Sequence, residues 1–221
     1  MPILVQAIVD RVTDLLLDKD RADEDARWTD AELIRWINDS RMAIIIRQPS
    51  ACAKLAVATL AQGTAQTIPD DGTMLMDVVR NVGSDGVTPG RAIRRADRQA
   101  IDDYDPDWHA ATPQATVSQF TYDDRTPRVY FVNPPCQAGV KIQIFYAAIP
   151  AEVSALTDTL DLDLEYTDAV VNYVAYRAKS KDSEYANAAE AAAYYGAFND
   201  ALGANAQGAN AASPNQPGNS V

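Results

Sequence analysis

The chain has 221 residues, 47% of them hydrophobic, enough to bury the core of one large domain or two small ones. Its formal net charge of −12 excludes a sequence-independent grip on nucleic acid, because that function needs clustered Lys and Arg side chains.

The N-terminal quarter of the chain predicts two helices. Apolar residues recur at helical spacing over residues 5–16 and again over residues 33–45. Thr29 and Glu32 form the pattern of a capping box, in which each side chain bonds the other residue's backbone N–H. Pro49 ends the second helix, because the residue before a proline is pushed out of α geometry.

The middle of the chain changes to the alternating pattern of short strands. The runs that predict strands are residues 54–59, 65–68, 117–122, 128–132 and 140–146, whereas residues 74–82 favour a short helix. Prolines and glycines separate these runs. Several short strands at close spacing predict a small antiparallel sheet or sandwich.

Helical spacing returns after Pro150. One helix carries Val170, Val174 and Arg177 on one face, and a last, alanine-rich helix runs from about residue 183 to residue 202. Residues 203–221 are Ala, Asn, Gln, Gly, Pro and Ser apart from one valine, so we expect them to be disordered in isolation. They could be a solvated terminus or an arm that becomes ordered on a partner.

These patterns together predict an α+β protein. A helical bundle body, formed by residues 1–50 and 151–203, carries an inserted small antiparallel β domain over residues 51–150. Residues 204–221 follow as an extended C-terminal arm. The first residues lack a signal peptide, and no stretch reaches the roughly 20 apolar residues of a membrane span. We therefore expect synthesis in a cytoplasm.

Residue types that carry catalysis are scarce. The single histidine, His109, lies outside any catalytic motif, and we expect it to be structural. Cys52 and Cys136 are expected to be reduced thiols rather than a disulfide. An acidic segment over residues 158–165 lacks the spacing and the glycine of a calcium loop, so an acidic helix entry is the better interpretation. We predict no enzyme activity, no cofactor and no metal.

A basic run precedes an acidic run in the middle of the chain. The residues concerned are Arg91, Arg94, Arg95, Arg98, Asp102 and Asp103. The simple interpretation is a solvated surface with local ion pairs. The alternative is that complementary patches meet on adjacent copies of a ring, because head-to-tail contacts join two different surfaces.

Five segments resemble one known family. They are WTDAELIRWIND at 28–39, IRQPSA at 46–51, GTAQTIP at 63–69, DDRTPRVY at 123–130 and YRAKSKDSEY at 176–185. In this order they resemble the adaptor, or head-to-tail connector, proteins of bacteriophages. The segments span most of residues 25–200.

The resemblance implies a structural adaptor of the virion neck. Such adaptors form a dodecameric ring below the portal protein, receive a tail or nozzle protein, and extend the channel through which DNA leaves without binding it. No membrane is involved. Their C-terminal arms lie in grooves of the portal, so the resemblance favours the arm over a solvated terminus. The portal-binding residues would be Gly203, Asn205, Gln207, Asn210, Pro214, Asn215, Pro217 and Val221.

Two other functions stay open at this point. One is a non-viral helical protein-interaction module. The other is a metal-dependent enzyme that uses the acidic segment over residues 158–165.

Overall fold

The computed structural model describes residues 3–18, 26–181 and 186–212, which contain five α-helices and ten β-strands. The helices are α1 (Val5–Leu16), α2 (Asp30–Arg47), α3 (Arg98–Tyr104), α4 (Thr167–Ser180) and α5 (Ala188–Ala212). The strands are β1 (Ile3–Leu4), β2 (Ala53–Thr59), β3 (Gly63–Thr67), β4 (Gly72–Val82), β5 (Pro89–Ala92), β6 (Arg94–Arg95), β7 (Gln119–Tyr122), β8 (Val129–Cys136), β9 (Lys141–Ala148) and β10 (Thr159–Leu160). The predicted α+β class is confirmed.

The chain divides into two compact units. One, here called the helical unit, comprises residues 1–51 and 150–221. The other, here called the β unit, comprises residues 52–149.

Helix α4 lies at the centre of the helical unit and contacts α1, α2 and α5. Its buried face is built from small and β-branched residues, which let the neighbouring helices approach closely: Ala169, Val170, Val174, Ala175 and Ala178. Helix α1 buries the predicted apolar stripe except for Leu15, which is exposed, and β1 pairs antiparallel with β10 beside it.

The predicted capping box of α2 is confirmed. Thr29 N–H donates to Glu32 Oε2 at 3.2 Å, and Glu32 N–H donates to Thr29 Oγ1 at 3.3 Å. The Lys181 ammonium lies 2.6 Å from Glu32 Oε1, and this hydrogen bond is the main reason why the pKa of Glu32 is lowered. The start of α2 is thus fixed by its own cap and by the residue that follows α4.

Removing the cap should weaken the helical unit. We expect Thr29→Ala to lower the free energy of unfolding by about 1 kcal/mol, because the N–H of Glu32 loses its side-chain acceptor. Thr29→Ser keeps the hydroxyl and should stay close to the wild type. Urea denaturation followed by far-UV circular dichroism measures the difference, and equal midpoints for the two variants would contradict the role of the cap.

The last helix differs from the prediction. It runs from Ala188 to Ala212, so residues 204–212 are helical and not extended. Alanine, the best helix former, offsets the cost of about 1 kcal/mol for each interior glycine. The helix is also held by its neighbours, because Gln48 Nε2 donates to Leu202 O at 2.9 Å and Asn205 Nδ2 donates to Glu165 O at 3.0 Å. Residues 213–221 of the predicted arm lie outside the described residues.

Two four-stranded sheets make up the β unit. The first has the order β2-β9-β4-β5 and the second the order β3-β8-β7-β6. Named pairs are antiparallel except β6 with β7, which is parallel. The core between them is apolar: Leu60, Ile68, Leu75, Val78, Ile93, Val117, Phe120, Tyr130, Val132, Cys136, Ile142, Ile144, Tyr146 and Ala148.

One prediction for the β unit is wrong. Residues 74–82 form most of strand β4 rather than a helix, and they pair with β9 from Met74 to Val82. A short apolar run cannot be assigned by periodicity alone, and here three irregularities in the register blur the alternation. The other predicted strands are present, with ends that shift by up to about four residues.

A buried asparagine joins the two sheets. Asn81 in β4 is 7% exposed and donates through Nδ2 to Arg91 O at 2.9 Å and to Val117 O at 2.7 Å. Its Oδ1 accepts from Val117 N–H at 2.9 Å. Asn81 therefore fixes β5 on one side and the residues leading into β7 on the other.

Both cysteines are free thiols inside the protein, as predicted. Cys136 lies in the β-unit core, where desolvation raises the pKa of its thiol. Across the described parts of the chain, no helix is both long enough and apolar enough to cross a bilayer.

Candidate functional site

The basic residues singled out in the sequence lie on one side of the β unit. Arg91 is in β5, Arg94 and Arg95 form β6, and all three are exposed. Arg98 opens α3, whose cap is the Asp97 carboxylate accepting from Gln99 N–H at 2.9 Å. The two short strands and the helix therefore place four guanidinium groups along one edge.

The two aspartates predicted with them are placed differently. Asp102 is held by local contacts although its side chain is 42% exposed, because Trp108 Nε1 donates to its Oδ1 at 2.8 Å and Arg98 Nε lies 3.6 Å from its Oδ2. Asp103 is exposed on α3. The structure thus brings Arg98 and Asp102 together as a local pair, while Arg91, Arg94 and Arg95 form no ion pair with another described residue.

A polar groove of about 900 Å³ opens beside this edge. It is lined by Arg95, Arg98, Tyr122 and the turn over residues 123–125. Arg125 Nη2 lies 2.9 Å from Asp123 Oδ2, and this contact is the main reason why the pKa of Asp123 is lowered. Burial raises the pKa of Tyr122. The groove carries both charge signs, and Asp123 and Arg125 pair with each other within one turn.

His109 has structural neighbours. Its Nδ1 is hydrogen-bonded to Thr64 Oγ1 at 2.8 Å, its ring stacks on Trp108 at 3.8 Å, and it meets the edge of Phe131. Trp108 is 1% exposed and packs against β8. These contacts pin the chain after α3 onto the second sheet.

The acidic segment after Pro150 forms a turn and a helix entry. The Asp158 carboxylate accepts from Ser154 N–H at 2.8 Å and Ala155 N–H at 2.9 Å, which lowers its pKa. The segment continues through β10 and a 3₁₀ turn over Leu164–Tyr166 into α4. Within the described residues, no three His, Cys, Asp or Glu side chains come together as metal ligands would.

The residues predicted to bind a portal protein divide into two groups. Gly203, Asn205, Gln207 and Asn210 lie on α5. Pro214, Asn215, Pro217 and Val221 lie outside the described residues.

A family model decides the assignment. The model of the SU10 adaptor protein family matches residues 4–218, nearly the whole chain. The chain belongs to the SU10 adaptor protein family. This is a family of phage head-to-tail adaptors, so the resemblance found in the sequence is confirmed. A search of curated proteins finds no match.

Membership of the SU10 adaptor family indicates how the surfaces described above are to be interpreted. An adaptor acts by contacting other proteins, so exposed strand edges and unpaired charges matter more than pockets. The sequence indicated the arginines and predicted strand β2, but it did not predict that β2, with its exposed Leu55 and Val57, lies at the edge of the first sheet. Their alternation with Ala56 and Ala58 was the available signal, but it did not show which strand would end the sheet.

Proposed function

We propose that this protein forms the adaptor ring of a phage neck, which joins the portal to the tail or nozzle and extends the DNA channel. The family match over residues 4–218 carries the proposal. In this proposal the ring is a dodecamer located in the virion, DNA passes through its lumen without specific binding, and no residue is catalytic. The helical unit serves as the bundle-like body of each subunit in the ring.

Two features of the molecule support an assembly role. Strand edges on both sides of the β unit are exposed, so the unit can contact neighbouring proteins without rearrangement. The acidic segment over residues 158–165 supports the adaptor over a metal-dependent enzyme, because the Asp158 carboxylate already caps a turn. The phage family likewise favours the adaptor over a non-viral interaction module.

The C-terminal segment is proposed as the portal-binding element. Residues up to Ala212 are helical, and residues 213–221 contain Pro214 and Pro217, which cannot continue that helix. An arm beginning near residue 213 therefore fits better than one beginning at residue 204. It would dock on the portal as an extended segment that becomes ordered on binding.

A pair of variants tests this arm. Deleting residues 213–221 removes the segment but leaves α5 and its Asn205–Glu165 hydrogen bond in place. We expect a folded protein that no longer cosediments with portal-containing heads. The matched control replaces residues 213–221 with a Gly/Ser segment of equal length, which should fail to bind as well. Attachment of the deletion variant at wild-type levels would rule out the arm.

A further inference from the structure

The β unit has two unlike lateral edges. The first sheet ends in β2 on one side and β5 on the other, and the second sheet ends in β3 and β6. Only residues 60–62 join β2 to β3, and only Ile93 joins β5 to β6. Each short connection keeps its two strands on the same side, so we name these sides the β2–β3 edge and the β5–β6 edge.

The β5–β6 edge is basic. Arg91, Arg94 and Arg95 are exposed, and neither strand contains an acidic residue. Arg94 and Arg95 form an edge strand whose outer side lacks a neighbour among the described strands. The edge thus presents positive charge that the described part of the chain leaves without an ion-pair partner.

The β2–β3 edge combines an open strand with apolar side chains. Leu60 N–H donates to Val140 O at 2.8 Å, so by the antiparallel alternation the peptide groups of Leu55 and Val57 face away from β9. Leu55 is 50% exposed and Val57 is 42% exposed. An edge strand of this kind, with no proline, invites pairing with another chain.

Negative charge lies beside the same edge. His109 is hydrogen-bonded to Thr64 in β3, which brings the end of the α3 segment to this side of the second sheet. Asp105 and Asp107 precede it by four and two residues, and both are exposed. The segment from Arg98 to His109 therefore crosses the sheet from the basic edge to an acidic one.

The complementary groups lie at the same height along the strands. In the second sheet Arg94 is opposite Gln119, and Gln119 is opposite Asn133. Asn133 in turn lies between the partners of Gly63 and Ala65, level with Thr64. A shift across the sheet therefore brings the arginines of one copy to the Thr64 region of the next.

In the first sheet, too, the two opposite edges lie at the same height along the strands. Ala92 is opposite Arg80, Arg80 is opposite Gln143, and Gln143 is opposite Val57. The successive pairings are antiparallel, so β5 of one copy would run antiparallel to β2 of the next. Both sheets thus match their opposite edges in the same register.

We propose that the β5–β6 edge of one copy binds the β2–β3 edge of the next copy. A second copy is the occupant because the two edges are opposite in charge and aligned in register on a single chain. Pairing of two β5–β6 edges would place arginines against arginines. The inference rests on the proposed function in that a ring needs a head-to-tail contact, which this pair of edges supplies.

Charge reversal at either edge tests the contact. Full-length Arg94→Glu/Arg95→Glu and Asp105→Lys/Asp107→Lys should each weaken self-association by at least about 100-fold, measured by analytical ultracentrifugation over the accessible concentration range. The control Arg11→Glu/Arg35→Glu makes the same charge change at exposed positions of the helical unit and should associate like the wild type. Wild-type association should weaken as salt is raised.

Mixing the variants tests the head-to-tail geometry. Each charge variant keeps one intact edge, and the altered edges of the two variants are again opposite in charge. An equimolar mixture should therefore restore the larger assemblies that neither variant forms alone, and so should all four changes combined in one chain. Leu55→Lys should also abolish association, whereas Met76→Lys, on β4 outside the part that pairs with β5, should not. Edge variants that assemble like the wild type, a wild type that stays monomeric, or a four-change chain that stays monomeric would overturn the proposal.

Portal binding separates this inference from the proposed function. If wild-type protein attaches to portal-containing heads while the edge variants self-associate normally, the interface is wrong and the function stands. If the edge variants lose self-association while wild-type protein ignores portals, the interface stands and the function is wrong.

Discussion

Replacing Asn81 with leucine is expected to destabilise the β unit by about 3–5 kcal/mol. The variant removes three hydrogen bonds, to Arg91 O, Val117 O and Val117 N–H. Each is worth about 1 kcal/mol, and the penalty rises because the groups of Val117 are left buried without partners. The loss is large because one side chain holds both sheets.

The variant Asn81→Asp tests the two hydrogen bonds that Asn81 donates separately from the one that it accepts. The carboxylate could still accept from Val117 N–H, but it would face the carbonyl oxygens of Arg91 and Val117 without a proton to donate. We expect Asn81→Asp to be less stable at neutral pH than at low pH, because protonation of the carboxyl restores one donor. Guanidinium denaturation at several pH values measures this difference.

Asn133→Leu is the matched control for Asn81. In the wild type, Asn133 Nδ2 donates only to Gln119 Oε1, at 3.2 Å in a partly exposed position. The loss in the free energy of unfolding should therefore stay near or below about 1 kcal/mol. Hydrogen exchange measured by mass spectrometry should show faster exchange over residues 89–92 and 117–122 in Asn81→Leu alone. Equal destabilisation by the two leucine variants would contradict the role given to Asn81.

The sequence predicts local structure well where one physical signal dominates. The capping box at Thr29 needs only neighbouring residues, and the helical stripe of α1 needs only its own spacing. Strand β9 alternates strictly because one face covers the core and the other is more exposed. The sequence pattern of each of these elements fits only one type of secondary structure.

The failures have a common physical cause in tertiary context. Strand β4 has an apolar run that fits a helix or a strand, and its pairing with β9 decides between them. The end of α5 is polar by composition, yet its alanines and the contacts of Leu202 and Asn205 extend the helix. Neither outcome follows from the residues of the segment alone.

The candidate surfaces show the same division. The arginine cluster is visible in the sequence because its members are close in the chain. The complementary edge is not visible in the sequence, because Thr64, His109 and Leu55 come to lie at one edge only through the order of strands in two sheets. Asp102 also looked available, but its contact with Trp108 Nε1 assigns it a structural role.

Arg41 supports the second large prediction, which concerns the helical unit. It is 1% exposed, and its Nη2 donates to Ala151 O at 2.6 Å while its Nη1 donates to Asn38 Oδ1 at 3.0 Å. Asn38 in turn donates to Val153 O at 2.9 Å and accepts from Val153 N–H at 3.1 Å. These two side chains of α2 thereby fix the segment over residues 151–153, where the chain re-enters the helical unit.

Arg41→Ala should lower the free energy of unfolding of the helical unit by about 3–5 kcal/mol, because it opens a cavity where a 1% exposed side chain was and removes the hydrogen bonds to Ala151 O and Asn38 Oδ1. Arg41→Lys should recover only part of this loss, since an ammonium cannot reproduce the planar fork that reaches both acceptors. Arg35→Ala removes an exposed arginine from the same helix and should change stability by no more than about 0.5 kcal/mol. Urea denaturation followed by tryptophan fluorescence measures these differences; Trp28 and Trp36 report on the helical unit, and Trp108 reports on the β unit and serves as an internal reference. If Arg41→Ala unfolds at the same urea concentration as Arg35→Ala, the α2 contacts do not hold the returning chain, and the helical unit must be held by the packing around α4 alone.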